Sequence, residues 1–166
     1  DTLWSKKYYL SSSDFNKLTL ANDGGYLCAG ATYLGGWDFF AFKTDSNGDT
    51  LWAKRYGGNS VDKAYDIQPT ADGGYIIVGS AMSFGAGGKD VFLVKTDANG
   101  NLQWSKAFGG IINDEGKAVI QSSDGGYIVA GTTTSFGSGN SDVYLLKTSS
   151  DGTLLWSKTF GGTGAD

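Results

Sequence analysis

Three observations predict an all-β chain made of repeated antiparallel sheets. First, one block is written three times: Trp4, Trp52, Trp104 and Trp156 stand 48, 52 and 52 residues apart, and Asp-Gly-Gly-Tyr recurs at 23–26, 72–75 and 124–127. Second, glycine supplies 27 of the 166 residues and proline one, while 16 Asp stand against a single Glu, Glu115. That choice favours turns, because Asp hydrogen-bonds nearby backbone whereas Glu is a helix former. Third, apolar and β-branched residues alternate with period 2 between the turns. A unit repeated every ~20–50 residues cannot bury its apolar face alone and has to stack on its neighbours.

Each block holds four strands. In the third, Glu115 to Gln121 (EGKAVIQ) alternates and stops at Ser-Ser-Asp-Gly-Gly, and Tyr127 to Thr133 (YIVAGTT) is apolar and runs into a Gly/Ser loop. Asp142 to Thr148 (DVYLLKT) follows, then a turn at Asp151-Gly152, then Thr153 to Phe160 (TLLWSKTF), which ends at Gly161-Gly162. Four short strands in a meander, repeated in tandem, describe the blade of a β-propeller. Asn47-Gly48, Asn99-Gly100 and Asp151-Gly152 predict type I′ hairpins, in which both central residues take positive φ. Counting outward from these turns sets Lys43 opposite Trp52, Lys95 opposite Trp104 and Lys147 opposite Trp156. The lysine stem is then expected to cover the indole, with a cation–π gain of ~0.5–1 kcal/mol.

With Asp14, Asp62 and Asp114 each opening an innermost strand, the chain divides into three complete four-stranded antiparallel blades. They span 11–60, 61–112 and 113–162, preceded by a lone outer strand in 1–10 and followed at 163–166 by the start of a further blade. Propellers need about 4–8 blades to close. The reading is therefore a propeller segment whose remaining blades come from the same longer chain or from other copies.

Composition excludes several functions. A net charge of −4 with scattered Lys leaves no basic stripe for nucleic acid. No apolar run approaches the ~18 residues of a membrane-spanning helix. Cys28 aligns with Ile77 and Val129 and is expected to be a small buried hydrophobe. There is no His, the commonest general base, and no Ser or Thr has a base partner at a fixed spacing. Asp38, Asp90 and Asp142 are one position copied in every block, as are Asp62 and Asp114, so they are expected to be strand-start and turn acceptors rather than catalysts. Asp45-Ser-Asn-Gly-Asp49 has the oxygen spacing of a calcium loop, but Ser149-Ser-Asp-Gly-Thr153 lacks it, and all the copies suit a hairpin turn. No catalytic residue, metal or cofactor is expected.

Trp104-Ser-Lys-Ala-Phe-Gly-Gly110, Asp124-Gly-Gly-Tyr-Ile-Val-Ala-Gly131, Ser135-Phe-Gly-Ser-Gly139 and Asp142-Val-Tyr-Leu-Leu-Lys-Thr148 resemble the tandem propeller blades of large secreted bacterial and archaeal proteins. Gly48-Asp-Thr-Leu-Trp52 resembles versions common in Bacteroidetes, which often carry a tail for type IX secretion. The resemblance spans essentially the whole chain and implies a secreted or cell-surface propeller. A weaker similarity to kelch repeats rests on the period and a Tyr…Gly…Trp order. Asp1-Thr-Leu3 and Asp49-Thr-Leu51 resemble the sites that Bacteroidetes O-glycosylate, which marks Thr2 and Thr50.

Function on such a scaffold belongs to rim loops. The connections 34–37, 83–89 and 135–141 should share a rim with 10–13, 57–61 and 109–113. Phe84 and Phe136 recur and are expected to pack under their loops, whereas Trp37 faces no repeat counterpart (Lys89 and Ser141); all three rim aromatics are candidate contacts for a sugar or protein, Trp37 foremost. The expected function is a non-enzymatic interaction or adhesion module binding a partner protein or glycan, with no nucleic acid and no direct membrane insertion. The alternatives are part of a polysaccharide-acting propeller enzyme whose catalytic residues lie outside this segment, or a structural spacer.

Overall fold

The computed structural model describes residues 5–8, 12–33 and 35–164, and all regular structure among them is strand. In chain order the strands are β1 (Ser13–Leu20), β2 (Tyr26–Tyr33), β3 (Trp37–Thr44), β4 (Thr50–Arg55), β5 (Asp62–Pro69), β6 (Tyr75–Ala81), β7 (Asp90–Thr96), β8 (Leu102–Phe108), β9 (Asp114–Gln121), β10 (Tyr127–Thr133), β11 (Asp142–Thr148) and β12 (Leu154–Phe160). They form three four-stranded antiparallel sheets, each a meander in sequence order: β1 to β4, β5 to β8 and β9 to β12. The strand limits expected in the third block hold to within one residue.

Successive sheets meet face to face. Leu27, Ala29, Phe39 and Ala41 of the first sheet are buried against Ile67, Tyr75, Ile77, Phe92 and Val94 of the second. On the other side of the second sheet, Ile76, Val78, Val91 and Leu93 are buried against Val119, Tyr127, Val129, Tyr144 and Leu146 of the third. The middle sheet is thus covered on both faces, which is why β6 and β7 are apolar almost throughout instead of alternating. Fully burying one such side chain is worth ~1.5–3 kcal/mol. First strands touch, β1 with β5 and β5 with β9, while β4 and β8 are held apart, so the sheets splay outward. Long side chains span the wider gap: Trp52 Nε1 donates to Ala98 O at 3.1 Å and Tyr56 Oη to Gly100 O at 2.9 Å.

Each first hairpin also brings two backbones unusually close. A Cβ on Gly30, Gly79 or Gly131 would lie 1.9 Å from the carbonyl oxygen of Asp14, Lys63 or Glu115. This contact accompanies a β-bulge in β1, β5 and β9, so glycine is required there in every sheet.

Three expectations are corrected. The register position of Asp62 and Asp114 is filled in the first sheet by Ser13, which pairs with Thr32 as Asp62 pairs with Ala81 and Asp114 with Thr133. Asp14 therefore stands one step along, in the place of Lys63 and Glu115.

The Asn-Gly and Asp-Gly turns are not type I′. Gly48 (φ 78), Gly100 (φ 72) and Gly152 (φ 80) are left-handed, but every positive φ among the described residues belongs to glycine. The Asp45 N–H donates to Asp49 O at 2.9 Å and the Gly48 N–H to Asp45 O at 3.1 Å, closing a three-residue loop with a bulge. The cause is the Asp45 carboxylate, which accepts the N–H groups of Asn47 and Asp49 at 2.8 Å each and fixes the ordinary turn before the glycine.

The Lys–Trp register is as counted, with Lys43 opposite Trp52, Lys95 opposite Trp104 and Lys147 opposite Trp156. The ammonium nonetheless turns away from that indole and ion-pairs with the aspartate of the Asp-Gly-Gly-Tyr turn: Lys43 with Asp23, Lys95 with Asp72 at 2.9 Å, and Lys147 with Asp124 at 2.7 Å. All three lysines are buried, and a buried ammonium needs a carboxylate more than the face of a ring. Each pair ties the β1–β2 type of hairpin to the third strand of its own sheet.

Of the expected outer strand, residues 5–8 belong to no strand, and 1–4 and 9–10 lie outside the described residues. Tyr8 Oη donates to Gly48 O at 2.8 Å, and Lys6 ion-pairs with Asp49. These contacts copy those of Tyr56 and Lys54 on the second sheet, so residues 5–8 occupy the place a preceding fourth strand would take.

The repeated ion pair gives the fold an acid limit. Burial pushes Asp72 up, but hydrogen bonds from Thr70 and Lys95 outweigh it and hold the carboxyl down at about 2. Because the folded value is lowered, this contribution is complete above pH ~4 and fades as pH falls toward 2. Asp72→Asn should lower the thermal midpoint at pH 7 by about 2–4 °C and flatten its decline between pH 4 and 2, as followed by circular dichroism.

Candidate functional site

The rim loops converge as expected. The Gly88 N–H donates to Ile112 O at 2.9 Å and the Asp114 N–H to Lys89 O at 2.7 Å, joining the 83–89 loop to the 109–113 linker. The Asn140 N–H likewise donates to Gly164 O at 3.1 Å. Aspartates organise these turns. Asp62 takes four donors: the N–H groups of Met82 (3.0 Å), Ser83 (3.1 Å) and Gly58 (2.8 Å), and the Ser83 hydroxyl (2.7 Å).

The first sheet departs from this pattern at one place. Its connection between Thr32 and Asp38 has three residues fewer than the second sheet has between the equivalent Ala81 and Asp90. Beside it opens a cavity of about 300 Å³ lined by Gly35, Gly36, Asp38, Arg55, Gly58 and Asn59. Arg55 Nη1 donates to Asp38 Oδ2 at 2.9 Å, which leaves most of the half-exposed guanidinium free. The same arginine lines a groove of about 480 Å³ between β4 and β8, with Lys54, Tyr56, Phe84, Asn101 and Ser105 among its walls. Lys54 Nζ reaches Asn101 Oδ1 at 3.4 Å across that groove. Planar hydrogen-bonding groups therefore face one recess (Arg55, Asn59 and Asp38), and two cations with aromatic rings face the adjoining one. This arrangement can hold hydroxyl or carboxylate groups in fixed directions.

The residues marked from the sequence are placed as follows. Trp37 opens β3, stacks edge-on against Tyr33 at 5.8 Å and carries Lys63 Nζ at 4.9 Å from its ring, so it closes the seam toward the second sheet beside the cavity without lining it. Phe84 stacks on Phe92 at 4.9 Å and also forms part of the groove wall. Phe136 tilts against Tyr144 at 5.6 Å, in the same relation to its loop. Thr50 is exposed at the start of β4, and Thr2 lies outside the described residues. Arg55 was not singled out from sequence, although the signal is there: its counterparts are Ala107 and Thr159.

Other recesses have structural explanations. An apolar groove of about 440 Å³ lined by Tyr8, Leu18, Tyr26, Cys28 and Phe42 lies on the face of the first sheet that corresponds to the covered face of the second. Burial pushes the Cys28 thiol up to about 11, so it stays protonated at neutral pH. The Asp45 carboxylate is directed at its own loop backbone. Among the described residues no three His, Cys, Asp or Glu side chains converge as a metal set.

No protein-family model matches the chain, and no curated protein sequence does.

Arg55 also balances charge, because a Cβ on Gly57 would lie within 2.9 Å of both Asp38 Oδ1 and Asp62 Oδ2. Arg55→Ala leaves two neighbouring carboxylates without a cation and should cost about 1–3 kcal/mol, read as a lower urea midpoint with an unchanged m-value.

Proposed function

We propose that the chain is a non-enzymatic interaction or adhesion module of an exported or cell-surface protein, binding a glycan or partner protein at the Arg55 recess on the rim between the first and second sheets. The observation that carries this reading is the break in repetition. The short loop, Arg55 and Asn59 differ from their counterparts in the other sheets, whereas the buried scaffold is copied from sheet to sheet. Selection for folding alone preserves repeated positions, while a ligand meets only one part of the rim.

In this reading the three sheets are blades of a β-propeller. Their outward splay and the outer-strand position taken by residues 5–8 both favour blades arranged about an axis. The remaining blades come from the same longer chain or from other copies. The apolar groups left open on the third sheet, Val143, Trp156 and Phe160, are the counterparts of residues that the second sheet covers in its joint with the third. The resemblance of the repeat to secreted bacterial propellers supports export to the cell surface.

The test is a glycan array and surface-partner capture with the wild-type chain, followed by titration of the ligand found. Arg55→Gln and Asn59→Ala are each expected to weaken binding by about tenfold or more, since a lost charge-assisted bond is worth ~1.5–3 kcal/mol. Trp37→Ala should weaken it less. Binding that survives all three substitutions, or hydrolytic turnover of a bound glycan, would overturn the proposal.

A further inference from the structure

The two joints between sheets differ in how they treat a pair of facing aspartates. At the joint between the second and third sheets, Asp90 opens β7 and Asp114 opens β9, with relative exposures of 1% and 0%. Both carboxylates crowd Gly109: a Cβ there would lie 2.1 Å from Asp90 Oδ1 and 2.6 Å from Asp114 Oδ2. The corresponding pair at the first joint, Asp38 and Asp62, has the Arg55 guanidinium and the four donors of Asp62.

Two sequence changes remove those partners from the second joint. Arg55 is replaced by Ala107, and among the described residues neither Asp90 nor Asp114 forms an ion pair. Ala81 is replaced by Thr133, whose hydroxyl takes the N–H groups of Ser135 (3.0 Å) and Phe136 (3.1 Å). The Ser135 N–H corresponds to the Ser83 N–H that serves Asp62, so Thr133 diverts a donor from Asp114. Asp114 keeps only Gly110 N–H and Ser135 Oγ–H, both at 2.7 Å on Oδ2. Asp90 keeps Ala86 N–H at 3.1 Å, and the Oδ1 atoms of both aspartates have no partner.

The other charged and titratable groups nearby do not neutralise the pair. Lys89, next to Asp90 in sequence, is engaged by Glu115 at 2.6 Å, and Lys117 pairs with the same glutamate. Tyr144, facing from β11, is a phenol that burial keeps protonated. Two carboxylates buried side by side without a cation cannot both ionise cheaply. A divalent ion such as calcium would want 6–8 oxygens, more than this pair supplies.

We propose that Asp90 and Asp114 share one proton, so that the joint between the second and third sheets is fastened by a carboxyl–carboxylate hydrogen bond that loosens as pH rises, while the Arg55-bridged first joint does not. The proton sits on Asp90 Oδ1 and is donated to Asp114 Oδ2. One proton is taken from solvent as the chain folds at any pH between that at which the unfolded aspartates ionise and the raised value at which the folded pair releases it. Burial pushes Asp90 up, and the Asp114 charge adds to it against the Ala86 and Gly87 N–H groups. With the folded value raised, this stabilisation is complete below pH ~4 and is lost as pH climbs through the raised value.

The test follows the side-chain carboxyl carbons of Asp90 and Asp114 by NMR from pH 3 to 9, together with the thermal midpoint. One carboxyl of the pair should stay protonated after Asp97, whose carboxyl is held below the usual range by hydrogen bonds from Asn101 and Asn99, has ionised, and the midpoint should fall as that proton leaves. Asp90→Asn, whose amide donates to Asp114 at every pH, should abolish this fall and raise the midpoint at pH 8 by about 2–4 °C. Ala107→Arg and Thr133→Ala, which restore the partners of the first joint, should each shrink the fall. Ionisation of both carboxyls along with Asp97 would overturn the proposal. So would an Asp90→Asn variant with the wild-type pH slope, or calcium chloride raising the wild-type midpoint at pH 8 while leaving that of Asp90→Asn unchanged.

Discussion

Burial of one sheet face against the next is the constraint from which the rest of the molecule follows. A four-stranded meander offers apolar side chains on its flanks, and a single sheet has nothing inside its own boundaries to cover them. Phe39 meets Phe92 edge to face at 5.4 Å across the first joint, and Val78 and Val91 disappear beneath the third sheet at the second. Because first strands touch while fourth strands diverge, the outer gap grows, and only long residues can bridge it. Trp52 and Tyr56 serve that purpose and finish their polar ends on backbone carbonyls of the next sheet. The same geometry leaves half-open apolar surfaces on the outer sides of the first and third sheets.

Within this frame the repeated polar residues have a local task. Lys43, Lys95 and Lys147 enter the sheet interior and meet the aspartates of the adjoining turns, joining the end of each first hairpin to the middle of its sheet. Asp45 and Asp97 organise the opposite hairpins by accepting two backbone N–H groups each. Such residues are copied because each sheet faces the same problem. The departures from the copy concentrate at the rim. Arg55 stands where the next sheets have Ala107 and Thr159, the first loop is three residues short, and Thr133 stands where the second sheet has Ala81. Each departure changes charge or hydrogen bonding around the aspartates at a joint. The two joints are therefore alike in their apolar packing and unlike in their electrostatics.

Much of this architecture was legible in the sequence. The period, the twelve strands and the Lys–Trp register follow from period-2 patterning and glycine placement, which act over a few residues and so leave a local trace, whereas Phe84 and Phe136, expected under their loops, keep 41% and 43% of their surface exposed. Matching residue type assigns the opening of β1 to Asp14, but Asp62 and Asp114 stand 13 residues before Tyr75 and Tyr127, and the residue 13 before Tyr26 is Ser13; the same bulge in all three first strands keeps that spacing as the register. The other differences come from interactions that the pattern cannot encode. Asn-Gly predicts a type I′ hairpin, but the side chain three residues before that glycine, Asp45, Asp97 or Ser149, accepts loop N–H groups and fixes a different turn. The lysines were assigned to indoles opposite them, although a carboxylate from another hairpin lies within reach once the sheet is assembled.

The sequence by itself determined that the chain is all-β, that it repeats, and where its strands and turns fall, because those properties depend on side-chain period and on backbone freedom at particular glycines. Only the tertiary structure decided which polar groups become partners and which carboxylates are left facing one another. Asp90 and Asp114 are 24 residues apart in the chain, and their encounter at Gly109 depends on how two sheets stack. Arg55 gains its meaning in the same way, since its charge matters through the aspartates and the open recess that the first joint brings to it.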